Sequence, residues 1–233
     1  MSKARSALLD RLADTIATLH PNRRTRVAID GVDGAGKTML ADALAPLVIA
    51  KGRQVIRAGV DDFHNPRSVR YARGRYSADG FYLDSYDYGA LRRLLLDPLG
   101  PEGSGQYATK HFDHRIDHLV TQEFQEAATS AVLIIDGIFL HRPELREHWD
   151  LSIFLQVDFA VSRARNAARD GTPDALDPDT PSSRRYAGGQ QRYLAECLPA
   201  QRADIVIDYN DLGAPKILRW RSGRSPSDAP SNR

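Results

Sequence analysis

The fold class predicted is α/β: a parallel sheet of about five strands covered on both faces by helices, in three layers. Three observations predict it. Residues 25–31 read as a buried strand that runs into a glycine-rich turn and then a helix from Met39 onward. Two further apolar runs, 54–60 and 131–135, each end in an acid, Asp61 and Asp136. Strand-like and helix-like runs then alternate to residue 208, as in chains of β–α–β units whose strands are buried on both faces. Ligands of such sheets bind beyond the carboxyl ends of the strands. Residues 31–38, Asp61 and Asp136 are therefore expected to converge there.

The turn reads Gly31-Val32-Asp33-Gly34-Ala35-Gly36-Lys37-Thr38. Strand, glycine-rich turn, Gly-Lys-Thr and helix together form a phosphate-binding P-loop. Glycines allow backbone angles that turn successive N–H groups toward one anion, and the new helix adds its free N–H groups and positive dipole end. The candidate nucleotide cradle is Gly31, Asp33, Gly34, Ala35, Gly36, Lys37, Thr38 and Met39. Lys37 supplies charge to the outer phosphates, and the Thr38 hydroxyl is a candidate Mg²⁺ ligand. Asp136, at the end of its strand, is the second candidate Mg²⁺ ligand. ATP and Mg²⁺ are the expected cofactors.

Composition bounds the rest. The 233 residues suit a single domain, expected over 1–221, with a helix at 2–20, a lid at about 165–185 and a disordered tail at 222–233. The formal charge of +2 argues against a nucleic-acid or membrane-surface partner. The expected partner is a small-molecule acceptor, with a homo-oligomer left open. The single cysteine, Cys197, allows no internal disulfide and fits a reducing cytoplasm. No apolar run approaches the ~20 residues that span a bilayer. Asp10 and Asp14 interrupt the first apolar positions, so a signal peptide is not expected.

In chain order, Leu8, Leu9, Leu12, Ile16 and Leu19 share one helical face. Arg67, Arg70, Arg73 and Arg75 lie in a basic loop with no acid before Asp79. Residues 86–96 read as a helix, 106–113 as a short strand or hairpin, and 116–128 as a helix. His111, His114 and His118 lack the H-E-x-x-H pattern, which disfavours a metal there. Residues 151–157 are the next strand. The following helix carries Arg163, Arg165 and Arg169 into a breaker-rich segment, 170–181, the core of the candidate lid. Residues 182–197 read as helical despite Gly188-Gly189, and 203–208 as the last strand.

The ordered motifs resemble the P-loop family of uridine kinases, phosphoribulokinases and bacterial pantothenate kinases. The loop alone also looks like that of a thymidylate kinase, but the Asp-Arg-Tyr/His signature of those enzymes is absent. Asp61-Asp62-Phe63-His64 is similar to the family's Asp-Ser-Phe-His/Tyr, and Asp136-Gly137-Ile138 to its Glu-Gly-Ile. The stretch from Arg165 to Asp170, Cys197-Leu198-Pro199 and Ala203-Asp204-Ile205-Val206-Ile207 resemble its lid lead-in and closing motifs. The resemblance implies that Asp61 is the catalytic carboxylate, that Lys37, Arg165 and Arg169 act on transferred charge, and that His64 lines the acceptor pocket. Tyr82-Leu83-Asp84-Ser85-Tyr86-Asp87 is similar to a ribose-holding stretch, with Asp79 and Asp84 competing for that role. Tyr107 and Phe112 lie where the family places base-stacking rings. Asp136 replaces the usual Glu, and Asn166 stands where a second lid arginine is common.

These readings imply a small-molecule kinase that transfers the γ-phosphate of ATP to a primary hydroxyl, first of all the 5′-OH of uridine or cytidine. The alternatives are a kinase of another alcohol or sugar phosphate, and a nucleotide-binding switch without transfer. Asp61 argues against the switch, which needs no proton acceptor beside the γ-phosphate.

Overall fold

The computed structural model describes residues 2–171 and 176–221. The expected tail, 222–233, and residues 172–175 of the expected lid lie outside them. Helix α1 (Lys3–Thr18) starts at Ser2, whose hydroxyl accepts from the Arg5 N–H at 3.2 Å. Strand β1 (Thr25–Gly31) leads through the glycine turn into α2 (Lys37–Ala50). Strand β2 (Val55–Gly59) follows and passes into a 3₁₀ turn, Val60–Phe63. Short helices α3 (Arg67–Arg70), α4 (Ala78–Asp84) and α5 (Tyr88–Leu91) come next, the last continuing as a π turn over Arg92–Leu96. Four two-residue strands then pair across a loop region: β3 (Gln106–Tyr107), β4 (Phe112–Asp113), β5 (His118–Leu119) and β6 (Gln125–Glu126). The chain closes with β7 (Val132–Gly137), β8 (Leu151–Gln156), α6 (Phe159–Asp170), α7 (Pro181–Cys197), α8 (Pro199–Arg202), β9 (Ile205–Asp208) and β10 (Lys216–Trp220).

The central sheet has the order β10-β9-β8-β1-β7-β2. Five strands are parallel, as expected, and β10 adds an antiparallel edge against β9. Alternation along each strand splits the core into two layers. Val27, Ile29, Val132 and Ile134 face α1 and α2, while Ala28, Leu133 and Ile135 face the α4–α5 and α7 side. Both layers are apolar, which is why these strands carry no polar alternation. Register decides where the chemistry lies. Asp136 pairs with Ile29 of β1 and Gly59 of β2, so the P-loop and Asp61 emerge on either side of it at the same sheet end.

Three expectations change. Residues 116–128 are not helical: β5 pairs with β4 and β6 with β3. Ile116, Leu119 and Phe124 are exposed, and Asp117 takes φ 57°, which breaks helical continuation. Residues 106–113 likewise do not close on themselves, since each strand there finds its partner later in the chain. Tyr86 is not helical but bridges to His64, and the helix begins after Asp87, whose carboxylate accepts from the Ala90 N–H at 2.8 Å. The Gly188-Gly189 pair is tolerated within α7 because α4 comes close: a Cβ on Gly189 would stand 2.6 Å from Phe81.

The residue after Asp136 also has a steric reason to be glycine. A Cβ on Gly137 would lie 2.2 Å from Cγ1 of Val60, the residue before Asp61. Overpacking of this kind costs about 1–3 kcal/mol. Gly137→Ala is expected to lose that much in denaturant unfolding, and to lower turnover by displacing the turn that carries Asp61.

Candidate active site

The P-loop is held from behind by a buried network. The Asp30 carboxylate accepts from the Gly31 N–H at 2.7 Å, from His141 Nδ1 at 2.6 Å, and from the Tyr193 hydroxyl. A buried carboxylate is tolerated when donors satisfy it in this way. Gly34 (φ 72°) and Gly36 (φ 92°) are left-handed, and a Cβ on Gly34 would meet the Ser162 carbonyl oxygen of α6 at 2.6 Å. Among the described residues the N–H groups of Gly34, Gly36, Lys37 and Thr38 have no protein acceptor. Four such donors at a helix start fit a polyphosphate. The Asp33 N–H, by contrast, is taken by Gln190 Oε1 at 2.6 Å, so α7 touches the loop directly. Lys37 Nζ donates across the loop to the Val32 carbonyl oxygen at 2.8 Å.

Thr38 and Asp136 meet as the sheet register requires. Thr38 Oγ1 donates to Asp136 Oδ2 at 2.6 Å, and the other carboxylate oxygen accepts from Arg57 at 2.7 Å. One hydroxyl and one carboxylate fit Mg²⁺, which takes few protein ligands and completes its shell with water and substrate phosphates. Arg57 also pairs with Asp42 at 3.0 Å, so it fixes the acid from the side of α2.

The two acids after β2 diverge. Asp61 Oδ1 accepts from the Tyr86 hydroxyl at 2.8 Å. Asp62 turns toward Lys110, 3.7 Å away, and burial raises its pKa against the pull of that lysine. Burial, then the Asp61 charge, raises the Tyr86 phenol far above its ordinary value, so it stays a donor. His64 Nδ1 stands 2.7 Å from the Asp61 carbonyl oxygen and must donate to it, which leaves Nε2 as the ring's acceptor. Burial lowers the His64 pKa, with Asp61 opposing, and this favours the neutral ring at pH 7. Its ring centroid lies 4.6 Å from that of Tyr86 and 4.8 Å from that of His114, with the planes tilted by 51° and 35°.

The remaining candidates separate. Asp84 accepts from Arg73 at 2.8 Å, and its carbonyl oxygen binds Asn65, one residue after His64. Asp79 instead pairs with Arg192 of α7 at 2.7 Å. Tyr107 and Phe112 are buried, at 4% and 2% exposure, and the Tyr107 hydroxyl is spent on Gln125. The Arg165 guanidinium donates to the carbonyl oxygens of Tyr209, Asn210 and Ala35 at 3.0, 2.7 and 3.4 Å, clamping α6 to the P-loop and the end of β9. Arg169 stands 4.0 Å from Asp33 and is 60% exposed, the arginine of the pair placed at the mouth of the loop.

Tyr86, Gln190 and Arg57 are the site residues that sequence reasoning missed. Only Tyr86 carried a signal, since it lies in the stretch that resembles a ribose-holding segment. Tyr86→Phe should lower kcat by about tenfold or more without changing the KM for ATP, since a hydrogen bond to a charged group is worth about 1.5–3 kcal/mol. Steady-state kinetics on the purified variant checks this.

No protein-family model matches the chain. Over 155 residues it is 28% identical to a "Probable thymidylate kinase" of Thermoplasma volcanium, covering 63% of this chain and 73% of that protein. Among solved structures it is similar to one described as "a Possible Uridine Kinase" from Bacillus stearothermophilus. That match has 25% identity and a TM-score of 0.67, over 86% of this chain and 97% of the other. It shares its fold with the phosphoribulokinase of Rhodobacter spheroides at 15% identity and a TM-score of 0.55, over 89% and 82%. The described helices include none long and apolar enough to cross a membrane.

Proposed function

We propose that this chain, whose fold is that of the P-loop kinases related to uridine kinase and phosphoribulokinase, transfers the γ-phosphate of ATP to a primary hydroxyl of a small molecule. The observation that carries this reading is Asp61. Its carboxylate is fixed by Tyr86 at the sheet end where the P-loop and the Thr38–Asp136 pair also lie. A nucleotide switch has no use for a positioned base there. In the reaction the acceptor oxygen forms a bond to the γ-phosphorus as the bond from that phosphorus to the β–γ bridging oxygen breaks. Asp61 takes the hydroxyl proton, and ADP leaves with the electron pair. Lys37 and the loop N–H groups hold the phosphate oxygens, and Arg169 closes on the charge that builds in the transition state. Mg²⁺, held by Thr38 and Asp136, supplies neutralisation of that charge when bound.

The uridine or cytidine reading rests on the ordered motifs and on the similarity to the Bacillus protein. Tyr107 and Phe112, the rings it calls for, are both buried, and Asp84 is the candidate for holding acceptor hydroxyls, with Asp79 as the alternative. A coupled assay of ADP release with a panel of alcohols tests the reading. Acceptor-dependent turnover is expected, and slow hydrolysis that ignores every acceptor would overturn it.

A further inference from the structure

The corner between α3, α4 and α7 holds a cation that the chemistry above leaves unused. Arg185 of α7 is 7% exposed. Its guanidinium carbon stands 5.1, 5.3 and 5.4 Å from the ring centroids of Tyr71, Phe81 and Tyr186. Among the described residues no acid lies within ion-pair distance of it, and its shielded Nε has no acceptor. Aromatic faces attract a guanidinium, but they leave its in-plane N–H donors unspent. Burying a charge without a counter-charge is costly, so such a residue calls for an anion. Arg70 adds a second cation. It is 8% exposed and stands 5.4 Å from the same Tyr71 ring; its Nε donates to the Asn65 carbonyl oxygen at 2.7 Å and its terminal nitrogen pairs with Asp117 at 3.4 Å.

This corner adjoins the proposed reaction site on both sides. Arg70 belongs to the electrostatic surroundings of His64, which is bonded to the Asp61 carbonyl oxygen. Burial raises the Tyr186 pKa, and both Arg185 and the P-loop residue Asp33 act on the same hydroxyl. Gln190, on the next turn of α7 after Tyr186, holds the Asp33 N–H.

We propose that Arg185, assisted by Arg70, binds an oxyanion carried by the acceptor at the end remote from its reacting hydroxyl. The substrate class is then an alcohol bearing a phosphate or carboxylate, and a neutral nucleoside would leave Arg185 unpaired. This rests on the kinase reading for its hydroxyl end and on Arg185 with Arg70 for its acidic end.

The test uses two matched frames, each with a primary hydroxyl at one end: glycerol, D-glycerate and glycerol 3-phosphate; ribitol, D-ribonate and ribitol 5-phosphate. Uridine is a further neutral arm. In at least one frame an acidic member is expected to exceed its neutral parent tenfold or more in kcat/KM, and whether phosphate or carboxylate is preferred names the oxyanion. Arg185→Gln should remove ~10–100-fold of that preference, the scale of a charge-assisted hydrogen bond. The loss should fall on the KM for the acceptor, with the KM for ATP unchanged. Turnover of neutral alcohols or uridine without preference for acids overturns the subsite and leaves the kinase reading standing. A variant that loses ATP affinity instead also overturns it, assigning Arg185 to the nucleotide. Calorimetry of the same compounds, with a non-hydrolysable ATP analogue present, reads the subsite without transfer. Acid binding lost in Arg185→Gln, with no alcohol turned over, supports the subsite and overturns the kinase reading. Acids that neither bind nor react overturn the subsite. The wild-type comparison alone decides for or against it if Arg185→Gln does not fold.

Discussion

Asp61→Asn is expected to lower kcat by about 10²–10⁴-fold while ATP still binds, the range that a positioned general base contributes. Asn keeps the shape and can still accept from the Tyr86 hydroxyl, so the turn stays in place, but it cannot take the acceptor's proton. The neighbouring acid provides the control. Asp62 faces Lys110 rather than Tyr86, so Asp62→Asn should leave kcat within a few-fold of wild type. Measuring kcat and ATP affinity for both variants tests the assignment: a dead Asp62 variant would exchange the roles, and two active variants would remove the base from the mechanism.

Lys37→Ala is expected to reduce turnover by about 10²–10³-fold, comparable to removing one preorganised donor from a transition-state anion site. The Lys37 ammonium reaches only the Val32 carbonyl oxygen among the described residues. Its removal therefore breaks one hydrogen bond of the fold, worth about 0.5–1.5 kcal/mol. Catalytic loss should thus far exceed stability loss, and a denaturation midpoint measured beside kcat separates the two. Full activity in Lys37→Ala would rule out the P-loop as the phosphate site.

Much of this site was legible before any coordinates. The P-loop and the acids that close β2 and β7 are encoded by residues adjacent in sequence. Their meaning comes from local rules: glycines where the backbone must turn, an apolar run where both faces are buried, an acid where that run ends. The divergence of Asp61 and Asp62 was not legible in this way, because both lie in the 3₁₀ turn Val60–Phe63, past the strand whose alternation could have separated them. Residues 116–128 misled because a helix there needs a core to bury its apolar residues, and here Ile116, Leu119 and Phe124 face solvent.

By itself, then, the sequence determined the parallel α/β sheet, the phosphate cradle and the two acids at its carboxyl end. Tertiary structure alone decided which side chains complete them. It bound Tyr86 to Asp61, Arg57 to Asp136 and Gln190 to Asp33, tied Arg165 to three carbonyl oxygens, and set Arg185 among rings with no acid beside it among the described residues. The physical reason is the range of the interactions. A turn or a strand is set by neighbours along the chain, whereas the partner of a guanidinium or a phenol is set by packing between distant segments, 163 residues apart for the Tyr193 phenol and Asp30. No local pattern distinguishes an arginine that will find carbonyl oxygens from one that will be buried unpaired.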